Sequence, residues 1–276
     1  MMLTAVAWTA DWFNGWLAAI GATLLVPDLT LDWTDDPRPA ARFDGVDDVI
    51  SALAAAFPAR DELAQLASSR HLDGRRELTQ KTDVDTYADR ATWAREHGDW
   101  SLGALLTDLA FDPKEPVTRS PLNTPAPKGL TITDRFVNAH DDVPGDVRDG
   151  IRSSMSGTLR VAGNGLGFDV HRLTAPTDPV GNKWADPVVE VLAFVGLTLL
   201  PCRGDGRRQR TRLQRDDGTI RWASWATPMD AAAIDAFLDT VASGSTPANY
   251  EARRYQPTNA SDPTRAFGAV RLATSP

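Results

Sequence analysis

The chain has few of the residues from which disulfides and metal sites are built. Of its 276 residues, one is a cysteine, Cys202, and four are histidines. A single cysteine excludes an internal disulfide and a cysteine-built zinc site, and it is typical of a protein from the reducing cytoplasm. The histidines form neither an HExxH motif nor a pair separated by three residues. The sequence therefore predicts no metal and no other cofactor.

Catalytic motifs are also missing. There is no P-loop and no GxSxG, and the glycine run 163–167 precedes a predicted strand instead of opening a helix, so it does not indicate phosphate binding. His140-Asp141 occurs in some metal phosphohydrolases, but no spacing singles out the further histidine and aspartate those enzymes need, so we interpret His140 as a solvated loop residue. We expect a non-enzymatic protein. A hydrolase built from unrecognised acids stays open, because catalytic carboxylates resemble surface ones in a single sequence.

A targeting or membrane segment is not evident either. Residues 3–26 are mostly apolar, but Asp11 and Asn14 interrupt them and no basic region precedes them. The stretch is too broken for a signal peptide or a bilayer span. We expect a cytoplasmic protein without a membrane partner.

What the sequence does have is alternating helix and strand patterns, which predict an α+β fold of mixed helices and short antiparallel sheets. The N-terminal part predicts a strand at Leu3–Trp8, a helix from about Trp12 to Leu24 and a strand around Leu31. The helix places Phe13, Trp16, Leu17, Ile20 and Leu24 at three- and four-residue steps, so we expect Trp16 and Ile20 to be buried.

Further along, the same patterns predict more helices and two short strands. The helices lie near Val46–Ala56, Arg60–Ser69, Thr86–Glu96, Leu102–Phe111, Thr133–Ala139, Val147–Ser156 and Val188–Val195, with a last one opened by Pro228-Met229-Asp230. The strands lie at Phe168–Leu173 and at Ala269–Leu272, the latter in an otherwise unstructured tail from Gly244. Residues 112–130 hold five prolines and predict a connector between regions 1–111 and 131–276.

The most informative feature is a cluster of positive charge. Residues 203–221 contain seven arginines and three aspartates, a net charge of +4 in a chain of net charge −8, so the remainder carries −12. A charge separation this sharp predicts a small contact surface on a protein that otherwise repels phosphate.

A β-hairpin over residues 207–226 would order these arginines. Asp217-Gly218 suits a two-residue type I′ turn, which places Arg215 opposite Ile220 and Leu213 opposite Trp222. Strand alternation then gives one apolar face and one exposed Arg-rich face. The residues of the exposed face are Arg208, Arg210, Arg212, Arg221 and Trp225. Such a face predicts phosphate contact and base stacking, and its charges contribute little to stability. The alternative is that the charges only blunt an exposed hairpin edge.

Three stretches also resemble a known group of proteins. They are FNGWLAAIGATLLVPDLTLDWTDDPRPAARF (Phe13–Phe43), LGFDVHRLTAPTDPVGNKWADPVVEVLAFVGLTLLP (Leu166–Pro201) and IRWASWATPMDAAAIDAFL (Ile220–Leu238). Together they are similar to proteins encoded beside type I-G (formerly I-U) CRISPR effector genes. The resemblance implies a non-catalytic subunit or accessory protein of an RNA-guided antiviral complex. It does not extend to residues 44–165 and assigns no role to any single residue.

The sequence therefore predicts a non-enzymatic component of a CRISPR ribonucleoprotein surveillance complex. Its partners would be the other subunits and CRISPR RNA or target DNA, whose backbone it would contact through the arginine hairpin. A second hypothesis is a protein-interaction module that docks an acidic partner through the same arginines. The unrecognised hydrolase is the third.

Overall fold

The structure, a computed structural model, has the α+β fold of mixed helices and short antiparallel sheets that the sequence predicted. It describes residues 2–60, 84–96, 106–107, 118–119, 122, 132–162, 184–204, 209–255, 266–267 and 271–273. The helices in these ranges are α1 (Phe13–Leu25), α2 (Val49–Ala56), α3 (Val84–Glu96), α4 (Ile132–Asp141), α5 (Val147–Met155), α6 (Pro187–Gly196) and α7 (Ala231–Ser243). The strands are β1 (Leu3–Thr9), β2 (Thr30–Trp33), β3 (Ala40–Asp44), β4 (Leu106–Thr107), β5 (Thr118–Arg119), β6 (Val161–Ala162), β7 (Trp184–Ala185), β8 (Cys202–Gly204), β9 (Gln209–Thr211), β10 (Thr219–Trp222), β11 (Tyr250–Tyr255), β12 (Ala266–Phe267) and β13 (Arg271–Leu272).

Two helices, α1 and α6, form the centre of the core. Every residue of α6 is buried, and so are all but the last two of α1, which fits helices that are apolar on all sides. Their backbones approach closely at Gly21 and Gly196, where an added Cβ would collide with a backbone carbonyl of the other helix. Trp16 and Ile20 are both 0% exposed, so the predicted burial of this stripe is confirmed.

Buried polar groups fix the start of α6. The Trp8 indole donates a hydrogen bond to the Ser154 hydroxyl (3.0 Å), which in turn donates to Asp186 (2.6 Å). Asp186 caps α6 by accepting from the backbone N–H groups of Val188 and Val189. Because these bonds join β1, α5 and α6, the N-terminal end of α6 is held by three elements.

The N-terminal sheet has the order β1-β3-β2 and is antiparallel throughout. Its inner face is apolar and includes the buried Leu31 and Phe43. Asp32 lies directly opposite Arg42, and the two form a bidentate ion pair of 2.5 and 2.8 Å. Cross-strand pairing of opposite charges stabilises the β2–β3 register.

The second sheet lies near the C-terminus, where β11 pairs with β10, β12 and β13. Part of it was predicted: β13 lies inside the expected strand Ala269–Leu272. The rest of the tail from Gly244 was expected to be unstructured, and that expectation is wrong for Tyr250–Tyr255. The sequence of this strand is mostly polar, and its burial depends on pairing with β10, where Tyr250 lies opposite Trp222.

The helix predicted over Leu102–Phe111 is wrong at Leu106–Thr107, because these residues pair with Thr118–Arg119 as β4 and β5. Such short, mixed segments carry no decisive periodicity. Residues 61–69 and 168–173, with a predicted helix and strand, lie outside the described residues.

Residues from both sides of the predicted connector share the core. Trp33 donates a backbone hydrogen bond to Trp225 (3.0 Å), and the Trp16 indole donates to the Ala223 carbonyl (3.0 Å). Leu122, within the connector, is itself buried in the same cluster. The described parts of the three stretches quoted above therefore meet in one apolar core.

Candidate nucleic-acid interface

The arginine segment begins with a two-stranded ribbon formed by β8 and β9. Cys202 pairs with Thr211 and Arg203 pairs with Arg210. Cys202 and Thr211 are buried, and the Thr211 hydroxyl donates to the carbonyl of Leu200 (3.0 Å). Because side chains alternate along a strand, Arg203 and Arg210 lie on the opposite, outer side of the ribbon.

The predicted hairpin turn between β9 and β10 is present, but its register differs by one residue. Gln214, not Arg215, lies opposite Ile220, and the Arg215 N–H donates to the Thr219 carbonyl (2.8 Å). A type I′ turn needs positive φ at both central residues, whereas of Asp217 and Gly218 only Gly218 (φ 81°) has it. The Asp217 carboxylate instead accepts from the backbone N–H of Thr219 (2.9 Å), which produces a three-residue loop.

Arg212 is not on an exposed face, contrary to the prediction. Its side chain is 4% exposed, and it lies in a turn between Thr211 and Gln214, where strand alternation does not apply. The guanidinium donates to Asp239 (2.9 Å), Asp235 (2.5 Å) and the carbonyl of Leu199 (3.1 Å), and also to the carbonyl of Asp235. It joins α7 to the chain that follows α6, which is a structural position.

Trp225 is also buried, at 7% exposure, so its predicted place beside exposed arginines is wrong. Its indole N–H donates to the carbonyl of Leu31 (2.8 Å), and its rings contact Trp33 and Phe237 at centroid distances of 5.9 and 5.3 Å. The physical reason is that the chain leaves β10 after Trp222 and crosses to β2, so the hairpin ends before Trp225.

The remaining predicted site residues have different surroundings. Arg221 is partly buried and donates to Glu251, its cross-strand partner on β11, at 2.9 Å. Arg210 is 42% exposed and pairs with Asp216 at 2.5 Å. Arg208 lies outside the described residues. The structure thus does not bring the five predicted residues together on one face.

Ion pairing changes the charge of the segment. Asp235, Asp239 and Glu251 come from outside residues 203–221 and pair with Arg212 and Arg221. The segment has seven arginines and three aspartates of its own, and these three further carboxylates reduce its net charge from +4 to +1. The segment is therefore much less positive in the fold than along the sequence.

Arg203 is one of the seven arginines of the segment and was not part of the predicted exposed face. It is exposed, and among the described residues its guanidinium has no hydrogen bond or ion pair. The signal that could have found it is Gly204-Asp205-Gly206, a turn-rich sequence that favours a hairpin beginning at Cys202. Arg203 and Arg210 form the outer cation pair of the candidate interface, which we call the ribbon arginines.

His140 lies at the end of α4 and not in a loop as predicted; its ring contacts Phe57 at 5.9 Å. Arg60 donates to both carboxylate oxygens of Asp141 (2.5 and 3.1 Å), and these hydrogen bonds lower the pKa of Asp141. Among the described residues, no group of three or more histidine, cysteine, aspartate or glutamate side chains is arranged to hold a metal ion.

Comparison of the chain with models of protein families, with curated proteins and with solved structures finds no match. In the described ranges, no helix combines the length and the apolar character that a membrane crossing requires.

Proposed function

We propose that the chain is a non-enzymatic subunit of a cytoplasmic CRISPR surveillance complex that contacts the backbone of guide RNA or target DNA through the ribbon arginines, Arg203 and Arg210. The proposal is supported by the resemblance of three sequence stretches to proteins encoded beside type I-G effector genes. It is also supported by the exposure of this cation pair on a chain of net charge −8. In such complexes base pairing reads sequence, so a protein contact to the backbone is sufficient.

The observation that carries the proposal is the register of β8 and β9, which sets Arg203 directly opposite Arg210. Like charges in directly opposed positions destabilise a strand pair. The Asp216 carboxylate offsets this repulsion at Arg210 but is itself exposed to solvent. A bound phosphate bridging the two guanidinium groups would convert the repulsion into charge-assisted hydrogen bonds, which suits planar arginine groups better than lysine.

Salt dependence of binding to single-stranded RNA tests the proposal. Each phosphate contact contributes about −0.7 to the slope of log affinity against log salt concentration. Replacing both ribbon arginines with alanine removes the contact to the one bridged phosphate and should therefore reduce the steepness of that slope by about 0.7. The melting temperature should change little, because exposed charges contribute little to stability.

The matched control is the double substitution of Arg60 and Arg148, which removes the same charge from two half-exposed ion pairs elsewhere on the surface. This variant should retain the slope of the unmodified chain. If both double variants flatten the slope equally, binding reflects net charge alone and the ribbon arginines have no specific role. If the slope is unchanged in both, the proposed contact is wrong.

A second candidate function is docking of an acidic protein segment on the same ribbon. The observation favouring it is the single excess positive charge that remains after internal pairing, which suits one or two carboxylates better than a polyanion. Loss of a purified complex subunit from the ribbon variant, together with unchanged RNA binding, would support this candidate.

A further inference from the structure

Trp184 differs from the other tryptophans whose burial the structure describes. It is 50% exposed, whereas six others are buried, and it is the one aromatic residue among the large apolar side chains exposed in the described ranges. The buried six are Trp8, Trp12, Trp16, Trp33, Trp222 and Trp225. Tryptophan is highly buried on average, so half of an indole in solvent indicates a contact surface.

Among the described residues, the strand partner of Trp184 does not cover its indole, and an arginine lies nearby in the chain. Trp184 lies on β7 directly opposite Ala162 of β6, and the alanine is too small to cover an indole. Arg160 directly precedes β6 and lies two residues before Ala162, so a cation is close in the chain to the strand position opposite Trp184. Arg160 is exposed, and within the described residues it has no hydrogen-bonding or ion-pair partner.

The backbone beneath the indole is fixed. Ala185, the next residue, is buried, and Asp186 after it caps α6 and accepts the Ser154 hydrogen bond. The site therefore directly precedes α6, a helix in which every residue is buried and whose other end leads to β8 and the ribbon arginines. A fixed aromatic surface loses little conformational entropy when a flat ligand stacks on it.

We propose that Trp184 and Arg160 form a stacking site for one base of a single-stranded nucleic acid, with the indole against the base and the guanidinium on a neighbouring phosphate. The inference rests on the proposed function. It adds a contact to a base of the nucleic acid, made by residues other than the ribbon arginines. Stacking of this kind is tolerant of sequence, because every base has an aromatic face. It therefore suits a complex in which pairing supplies the specificity.

The test measures binding of the full chain at low salt to a 20-nucleotide oligouridine and to an abasic oligomer of the same length and backbone. Trp184→Ala should weaken oligouridine binding about 5- to 150-fold, the loss typical of one stacked base. Trp184→Phe should restore most of the affinity, since phenylalanine also stacks. Arg160→Ala should reduce the steepness of the salt slope by about 0.7. Leu272→Ala is the control for removal of an exposed apolar side chain, and it should bind like the unmodified chain.

The abasic oligomer separates the two proposals. The unmodified chain should bind it as weakly as Trp184→Ala binds oligouridine, and Trp184→Ala should lose nothing further on it. Equal binding of the two oligomers by the unmodified chain would overturn the stacking site while leaving the phosphate contact of the ribbon arginines intact. Absence of binding to both oligomers would overturn both proposals. A Trp184→Phe variant as weak as Trp184→Ala, with an unchanged melting temperature, would also overturn stacking.

Discussion

Helix α6, which packs on α1, and the arginine segment that follows it are neighbours in the chain, but different interactions hold the helix pair and the segment. The helices are buried because apolar and small residues cover all their sides, a property that each helix carries in its own sequence. The positions of two of the arginines depend on carboxylates from other elements: Arg212 pairs with aspartates of α7, and Arg221 pairs with Glu251 of β11. Apolar spacing thus predicts burial from local sequence, whereas the exposure of a cation depends on partners that are distant along the chain.

The largest loss of stability is expected in α1, where the apolar spacing of the local sequence determines which side chains are buried. Replacing Trp16 with alanine should lower the free energy of unfolding by about 3–5 kcal/mol, because the indole is fully buried and the vacated space is lined by packed helices. Denaturant-induced unfolding measures it, with Leu272→Ala as the exposed control, expected within about 0.5 kcal/mol. If Trp16→Ala unfolds at the same denaturant concentration as the control, α1 is not a core helix.

The same contrast explains which parts of the molecule could be predicted. The stripe containing Trp16 and Ile20 was predicted because three- and four-residue spacing is visible in one segment. The burial of Arg212 was not predicted, because its position follows from a turn at Thr211–Gln214 and from two aspartates on α7. Alternation itself is present in β10, where Ile220 and Trp222 are buried and Arg221 between them is partly exposed, so the strand faces are not exchanged there.

Trp184 and Arg203 were missed for a related reason. Trp184 carries no signal of exposure, since tryptophans are mostly buried, and Arg203 carries only the indirect signal of the turn-rich Gly204-Asp205-Gly206 that follows it. Their significance appears only from the strand partners, Ala162 and Arg210, that pairing gives them.

A second prediction compares two arginines of the segment directly. Arg212→Ala should lower the free energy of unfolding by about 2–3 kcal/mol, because it removes charge-assisted hydrogen bonds of a buried guanidinium and leaves the Leu199 and Asp235 carbonyls without this donor. Arg203→Ala should change it by less than about 0.5 kcal/mol. The measurement is again denaturant unfolding of the two single variants.

Equal stability of these two variants would contradict the difference between a structural and a surface arginine. It would also restore the expectation that the four arginines of the predicted exposed face, Arg208, Arg210, Arg212 and Arg221, contribute little to stability. A useful companion is Asp239→Asn, which keeps the shape of the side chain and weakens one of the Arg212 interactions.

The third prediction tests the turn that sets the register. Gly218→Ala should cost about 1–2 kcal/mol, since Gly218 has a φ of 81° that alanine adopts only with strain, although no atom lies within 4 Å of the added Cβ. Gly145 is the matched control: its added Cβ also meets nothing within 4 Å, and its φ is not positive. Gly145→Ala should be neutral or slightly stabilising. A Gly218→Ala variant as stable as Gly145→Ala would refute the left-handed position and with it the three-residue loop.

The smallest expected effects are changes in the pKa of two carboxylates, one with a local hydrogen-bonding partner and one with a distant partner. The pKa of Asp48 is lowered mainly by hydrogen bonds from Ser51, three residues away, and less by the charge of Arg148. The pKa of Asp141 is lowered mainly by the hydrogen bonds of Arg60, 81 residues away. Arg60→Ala should therefore raise the pKa of Asp141 towards its ordinary value, while Arg148→Ala should leave the pKa of Asp48 low and Ser51→Ala should raise it.

Carboxyl NMR titration of the three variants measures these shifts. Because the folded pKa of Asp141 lies below that of the unfolded chain, its pairing stabilises the fold above the unfolded pKa, and this contribution is lost as the pH falls through the folded value. Arg60→Ala should thus be slightly less stable than the unmodified chain at neutral pH and equal to it at strongly acid pH. An equally large rise in the pKa of Asp48 in Arg148→Ala and of Asp141 in Arg60→Ala would contradict the distinction between the two carboxylates. Both would then depend chiefly on a cation that is distant along the chain.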